Sequence, residues 1–239
     1  MYKGKKILAV IPARSDSKRI KNKNIIKLLN KPLIQYTLDV AKKCKYIDKI
    51  VVSSESKKIL KIAKKNGVDT PFLRKEAFDD FTPVDKATLA AVKQSEEYYG
   101  NFDIVIQLMP NCPIRSLKTI NSSIQNFFMS KKKSQISFFE YNYANPWWSN
   151  FIKKGNMHPL NTKGLFKRKR SQDLPKLYCP TGSIWISNVN TLKKYKSFYS
   201  PSFGFFILNF IEAIDIDTHE DLKLAKIFYK HFIKKNTIK

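Results

Sequence analysis

Cysteine, histidine and arginine are scarce in this 239-residue chain, and each shortage removes a class of chemistry. Three cysteines, Cys44, Cys112 and Cys179, are odd in number, far apart and without a Cys-x-x-Cys pair, so neither a zinc site nor a disulfide framework follows. Three histidines, His158, His219 and His231, build no His-Glu-x-x-His or Ser-His-Asp pattern, and His219 suits a helix start better than catalysis. The apolar run after the basic opening, residues 7–13, is interrupted by Pro12 and Arg14, too early for a signal peptide or a membrane span. A soluble, cytoplasmic protein with no membrane partner is the expectation. No Gly-x-x-x-x-Gly-Lys-Ser/Thr loop is present either, which excludes a Walker-type phosphate site.

Acidic residues are few as well: 19 against 45 basic ones, a formal net charge of +26. Such a surface attracts polyanions and invites a nucleic-acid reading. Sorting the cations argues against it. Only Arg14, Arg19, Arg74, Arg115, Arg168 and Arg170 are arginine, so lysine is the background and arginine the exception. Arginine offers a rigid fork of donors that lysine cannot copy, so its few positions mark where geometry matters. They fall at loops of an α/β pattern, and no helix-turn-helix or RNA-recognition signature accompanies them, so no nucleic-acid partner is expected.

At 43% hydrophobic residues the chain can bury one substantial core. Apolar runs at 7–11, 50–52 and 104–106 alternate with helical periodicity at about 32–43, around Ile59, Ile62 and Ala63 up to Gly67, and at about 84–99 and 117–128. This alternation predicts an α/β fold, a doubly wound, mostly parallel Rossmann-like sheet spanning residues 1–239 as one domain. Residues 138–180, rich in aromatics and lysine, break the alternation and read as a small insertion arm for dimerisation or for covering a substrate. A strand at 183–186 and a strand at 213–217 are expected to restore the sheet before a last helix at about 219–232, capped by Thr218 and Asp221.

In such sheets ligands collect at the carboxyl ends of the strands, so the loops at Arg14, Ser53 and Gln107 should share a rim. The first loop carries Arg14, Lys18, Arg19, Lys21 and Lys23, cations suited to a triphosphate and to the pyrophosphate that leaves it. Asp215 and Asp217 alternate with Ile214 and Ile216, which on a strand puts both carboxylates on one face, an arrangement that holds Mg²⁺. An ordinary basic loop and a solvent-facing edge strand remain the plainer readings of these two segments. Pro146-Trp147-Trp148 offers flat apolar faces, better suited to core or interface packing than to a sugar.

The segments Ile11-Pro12-Ala13-Arg14, Ser17-Lys18-Arg19-Ile20 and Lys23-Asn24 resemble the signature of the acylneuraminate cytidylyltransferases, the CMP-sialic acid synthetases with their legionaminic and pseudaminic acid relatives. Ile214-Asp215-Ile216-Asp217-Thr218 is similar to that family's metal motif, and the resemblance extends through Pro110-Asn111-Cys112-Pro113-Ile114-Arg115 and residues 168–175 to Pro180-Thr181-Gly182. It implies a nucleotide-diphospho-sugar transferase type of fold and transfer of CMP from CTP to the anomeric hydroxyl of N-acetylneuraminic, legionaminic or pseudaminic acid. Transfer to another acidic sugar such as 3-deoxy-octulosonate is the alternative.

The resemblance further implies Arg14, Lys18 and Lys23 as catalytic groups on the phosphates of CTP, with Arg74 and Thr82, and more weakly Asp80, around the base. Gln107 and Arg170 are implied on the sugar acid, with Arg115 near the rim, and Asp215 and Asp217 on Mg²⁺ or Mn²⁺. A homodimer exchanging its arm is implied as well. The chain departs from the family at Asp16, where a small neutral residue is usual, and at Met109, Asn111, Cys112, Cys179 and Thr181.

Overall fold

Period-two burial in the first apolar run sets the architecture. The computed structural model of the protein describes residues 1–77, 82–141, 144–160 and 170–237. Strand β1 (Ile7–Pro12) is buried at every position, and its side chains divide between two cores. With it run β2 (Lys49–Ser53), β3 (Ile104–Gln107), β4 (Ser134–Glu140), β5 (Tyr178–Asn188) and β6 (Gly204–Ile207), in the spatial order β6-β4-β5-β3-β1-β2. β1 is parallel to β2 and β3, and β6 to β4, while β5 runs antiparallel to both of its neighbours. The sheet is mostly parallel, as the alternating pattern predicted.

The helices are α1 (Leu33–Lys43), α2 (Lys57–Lys65), α3 (Val84–Tyr99), α4 (Leu117–Ser130), α5 (Val189–Tyr195) and α6 (His219–Thr237). Ile7, Ala9 and Ile11 meet Leu38 of α1, Ile59 of α2 and Ile124 of α4, whereas Leu8 and Val10 meet Val92 of α3 and Leu192 of α5. Both faces are therefore covered, which is why these strands read as continuous apolar runs. Each fully buried Ile or Leu contributes about 1.5–3 kcal/mol of transfer free energy, so the central strands anchor the rim that carries the polar loops.

The segment 213–217 is not a strand. Its alternation imitates a pleat, but Ile216 leaves the sheet to pack with Leu33, Tyr36, Leu222 and Ala225 where α6 docks on α1. Two strands that the pattern did not announce complete the sheet: β4, whose last residues were expected in the arm, and β6 at Gly204–Ile207. Thr218 and Asp221 cap α6 reciprocally: Asp221 Oδ2 accepts from Thr218 N at 2.7 Å, and Thr218 Oγ1 accepts from Asp221 N at 3.2 Å.

The sheet claims both ends of the expected insertion, since Phe138, Phe139 and Glu140 pair with Pro180, Cys179 and Tyr178. Between β4 and β5 the arm holds a short 3-10 turn, Pro146–Trp148, and a hairpin of Asn150–Lys153 with Asn156–Pro159. Lys154 and Gly155 close the hairpin at φ 50° and 77°, the double left-handed turn that suits strand twist. Trp147 Nε1 donates to Pro175 O at 2.9 Å and ties the arm's outgoing and returning segments together. Among the described residues no helix is long and apolar enough to cross a membrane.

Candidate active site

The parallel strands end together: Ile11 pairs with Val52, Pro12 with Ser53, and Val10 with Gln107. Beyond that edge opens a cleft of about 320 Å³. Arg14, Asp16, Arg19 and Lys23 line one wall, Arg74 and Thr82 another, and Met109, Asn111, Asp215 and Asp217 the third. Loops almost 200 residues apart in sequence thus meet where the sheet leaves room for a ligand.

The first loop is fastened at both ends. Ala13 N donates to Ser53 O at 2.9 Å, and Asn24 Nδ2 donates to Arg14 O at 2.8 Å, with Asn22 in the left-handed region at φ 56° to turn the chain. Lys18 shares this loop but lies exposed, outside the cleft lining. Asp16, the residue unusual for the family, is exposed and lines the cleft.

Arg74 is 4% exposed, and its guanidinium reaches Glu55 at 3.0 Å. Glu55 also accepts from Ser15 N at 2.5 Å and Ser15 Oγ at 2.7 Å, so one carboxylate couples the first loop to the arginine. Burial pushes Glu55 toward protonation, but the Ser15 hydrogen bonds and the Arg74 charge outweigh it and hold the carboxyl below its ordinary value. Burial pulls the Arg74 pKa down, against the opposing effect of Glu55. Sequence reasoning missed Ser15 and Glu55; the available signal was a lone acid directly after the Ser53-Ser54 strand end.

The carboxylate pair is asymmetric. Asp217 accepts from Lys23 Nζ at 2.6 Å and from Arg19 at 2.5 Å; burial raises its pKa, but these two cations bring it below the ordinary value. Asp215 is crowded by protein while its carboxylate stays open to the cleft, and burial, reinforced by the nearby charge of Asp217, pushes it up to about 6. Asn111 Nδ2 donates to Asp215 Oδ1, and Asn111 O accepts from Ile216 N at 2.9 Å. Among the described residues no three His, Cys, Asp or Glu side chains cluster as a metal cage. The available set is two carboxylates and the Asn111 amide oxygen, which is buried without a partner. All-oxygen donors of this kind fit a hard divalent cation such as Mg²⁺ or Mn²⁺ and do not suit zinc.

Two residues of the β3 loop lie elsewhere than expected. Gln107 is fully buried beneath the rim, its Oε1 accepting from Thr88 Oγ1 at 2.6 Å, because the pleat turns it toward α3. Met109, two residues on, lines the cleft and packs so closely on Gly182 that a Cβ there would stand 2.9 Å from Met109 Cγ. Arg115 is not at the rim but 3% exposed, donating to Ser183 O, Met109 O and, at 2.7 Å, Thr37 Oγ1. Burial brings its pKa down to about 10, and its role is to brace the loop.

Arg170 lies apart from the cleft, exposed on the arm and paired with Asp173 at 2.9 Å. Asp80 and Arg168 fall outside the described residues.

A cation-bearing loop at a strand end, a carboxylate pair across from it and a buried arginine beside both, on a doubly wound sheet, define a nucleotidyltransferase. The particular family follows from comparison: a model of the cytidylyltransferases matches residues 8–231, and the chain belongs to that family. It is 31% identical over 226 residues to a pseudaminic acid cytidylyltransferase of Campylobacter jejuni, covering 94% of this chain and 97% of that one. It is 34% identical over 230 residues to the CMP-N,N'-diacetyllegionaminic acid synthase of Legionella pneumophila, covering 92% and 95%. Among solved structures, a CMP:2-keto-3-deoxy-manno-octonic acid synthetase complexed with CTP superposes with a TM-score of 0.70 over 95% of this chain and 99% of that one; at 15% identity the likeness is one of fold.

Proposed function

We propose that the protein transfers CMP from CTP to the anomeric hydroxyl of a nonulosonic acid of the pseudaminic, legionaminic or N-acetylneuraminic type, releasing pyrophosphate. The observation that carries this reading is the convergence of Arg14, Lys23 and Arg74 with Asp215 and Asp217 on one cleft. The full-length similarity to relatives named for such acids supports the acceptor class.

In this account the acceptor hydroxyl oxygen attacks the α-phosphorus of CTP in line and gives up its proton to solvent, the new oxygen–phosphorus bond forms as the bond to the β-phosphate oxygen breaks, and pyrophosphate departs with the charge. Most of the work is positioning and charge stabilisation. Arg14 neutralises the polyphosphate, Lys18 adds its charge from the exposed edge of the same loop, and Lys23, held against Asp217 without ligand, exchanges that contact for a phosphate oxygen. Arg74 and Thr82 stand on the base side of the cleft. A divalent cation held by Asp215 and Asp217 would offset polyphosphate charge and acidify the acceptor hydroxyl.

A second cavity of about 370 Å³ also borders Asp215, walled by Phe139, Phe210, Leu224, Phe228, Cys179 and Thr181. It gives the acceptor room beside the reacting phosphate. Arg170 is assigned to the acceptor carboxylate in a homodimer in which the arm of one protomer reaches its partner's cleft. The arm's exposed Phe151, Ile152, Met157 and Leu160 support that arrangement, since apolar side chains at this density mark a contact surface. The use of CTP and three free cysteines support a cytoplasmic setting.

The test is to incubate the purified protein with CTP, Mg²⁺ and a panel of nonulosonic acids plus 3-deoxy-octulosonate, and to follow pyrophosphate. Release with a nonulosonic acid is expected. Release with 3-deoxy-octulosonate alone would replace the acceptor, and silence across the panel would overturn the reading.

A further inference from the structure

Asn111 is a departure from the family pattern, and one of its two side-chain polar atoms is unpartnered. The side chain is 4% exposed and forms part of the cleft wall. Its Nδ2 donates to Asp215 Oδ1, an orientation that chemistry requires because an ionised carboxylate only accepts. Its Oδ1 is thereby turned away from Asp215 and has no hydrogen-bond partner, although it is fully screened from bulk water by its neighbours. Backbone geometry fixes the same residue a second time, through Ile216 N to Asn111 O at 2.9 Å. One residue therefore joins the β3 loop to the segment bearing both carboxylates.

A half-satisfied buried amide is a poor way to hold two loops together, because its stranded acceptor has lost its water without compensation. Unpartnered buried atoms also occur nearby at Gln107 Nε2 and Arg115 Nε, but these are donors beneath the rim, whereas Asn111 Oδ1 is, among the described residues, an unpartnered acceptor on the cleft lining. Asn111 shares the cleft lining with both carboxylates, in a site short of oxygen donors. We propose that Asn111 belongs to the cation site, its amide nitrogen orienting Asp215 and its amide oxygen entering the oxygen shell of the divalent cation, directly or through one of the cation's waters. Asn111 is then a positioning residue and ligand-shell member that supplements a pair of carboxylates too few to hold the ion alone. The inference rests on the cation reading of Asp215 and Asp217 given above.

The test uses Mn²⁺ as the probe, counted as free ion by its electron paramagnetic resonance signal, with the full chain and CTP present. Three proteins are compared: wild type, Asn111→Leu, which keeps the volume and removes both polar atoms, and Asn111→Asp, which restores oxygen donors. The expected result is at least a tenfold weaker Mn²⁺ affinity in Asn111→Leu and recovery to within a few-fold of wild type in Asn111→Asp. A purely structural role predicts the opposite order, because a third carboxylate against Asp215 strains the fold while leucine relieves an orphan. Wild-type Mn²⁺ affinity in Asn111→Leu, or an Asn111→Asp protein as weak as Asn111→Leu, overturns the inference while leaving the cation reading intact. Should Asn111→Leu not fold, a weakened Asn111→Asp protein alone overturns it. Absence of Mn²⁺ binding by the wild type would instead remove the cation reading itself.

Discussion

The cleft and the arm use the same charged residue types in opposite ways. In the cleft, Arg74 and Lys23 are largely buried and held by carboxylates that other groups also grip: Glu55 by Ser15, Asp217 by Arg19. On the arm, Arg170 and Lys176 extend into solvent and make single ion pairs with Asp173 and Glu140, among apolar side chains that remain uncovered. Exposed pairs of that kind contribute about 0–1 kcal/mol, whereas breaking a buried one costs about 3–5 kcal/mol. The cleft is preorganised within one chain. The arm instead leaves its apolar side chains exposed, as the dimer proposed above requires.

That contrast is most easily broken at the carboxylate pair. Asp215→Asn is expected to lower kcat/KM for CMP transfer by about 10³-fold, roughly 4 kcal/mol of transition-state stabilisation, measured by pyrophosphate release. Equal activity in that variant would detach the pair from the chemistry. Next in size is Glu55→Gln, expected to destabilise the fold by about 3 kcal/mol at neutral pH in denaturant melts, because it leaves Arg74 buried beside a neutral partner.

The sign of its pH dependence is fixed by the depressed carboxyl. Glu55 contributes its stability above the unfolded-state value, and that stability is lost as the pH falls through the folded-state one. The gap between wild type and Glu55→Gln should therefore close on acidification; a gap that widens contradicts the network. Arg14→Ala should raise the KM for CTP about 10- to 100-fold with little loss of stability. The smallest stability effect belongs to the arm. Ile152→Asp should change folding stability within about 0.5 kcal/mol yet shift the protein from dimer to monomer in sedimentation.

The sheet was largely legible because burial on two faces writes itself as unbroken apolar runs. Residues 7–11, 50–52 and 104–106 lie in strands, and the helix expected at 84–99 is α3 to the residue. The segment 213–217 misled because Ile-Asp-Ile-Asp alternates like a pleat, while its backbone bonds to local turn partners and to the distant Asn111 and Thr181, contacts that no alternation encodes. β6 escaped because Gly204–Ile207 is an aromatic edge strand, with Phe205 65% exposed, lacking a burial signature.

In the site, Arg14, Lys23, Arg74, Thr82, Asp215 and Asp217 were named from motifs, and the fold brings them together. Gln107 was placed by the wording of a motif, whereas the pleat puts Met109 at the cleft and Gln107 under α3. Glu55 and Ser15 stand 40 residues apart, and Asn111 and Asp215 stand 104 apart, so only the closed structure reveals either pair.

Calorimetric titration of CTP, in the presence of Mg²⁺, into the wild type, Arg14→Ala and the Ile152→Asp protein tests the contrast most directly. A CTP-binding part of the cleft that is complete within one chain predicts saturable CTP binding of equal affinity in wild type and Ile152→Asp, weakened in Arg14→Ala. Loss of CTP binding on disrupting the arm, with Arg14→Ala unaffected, would contradict it.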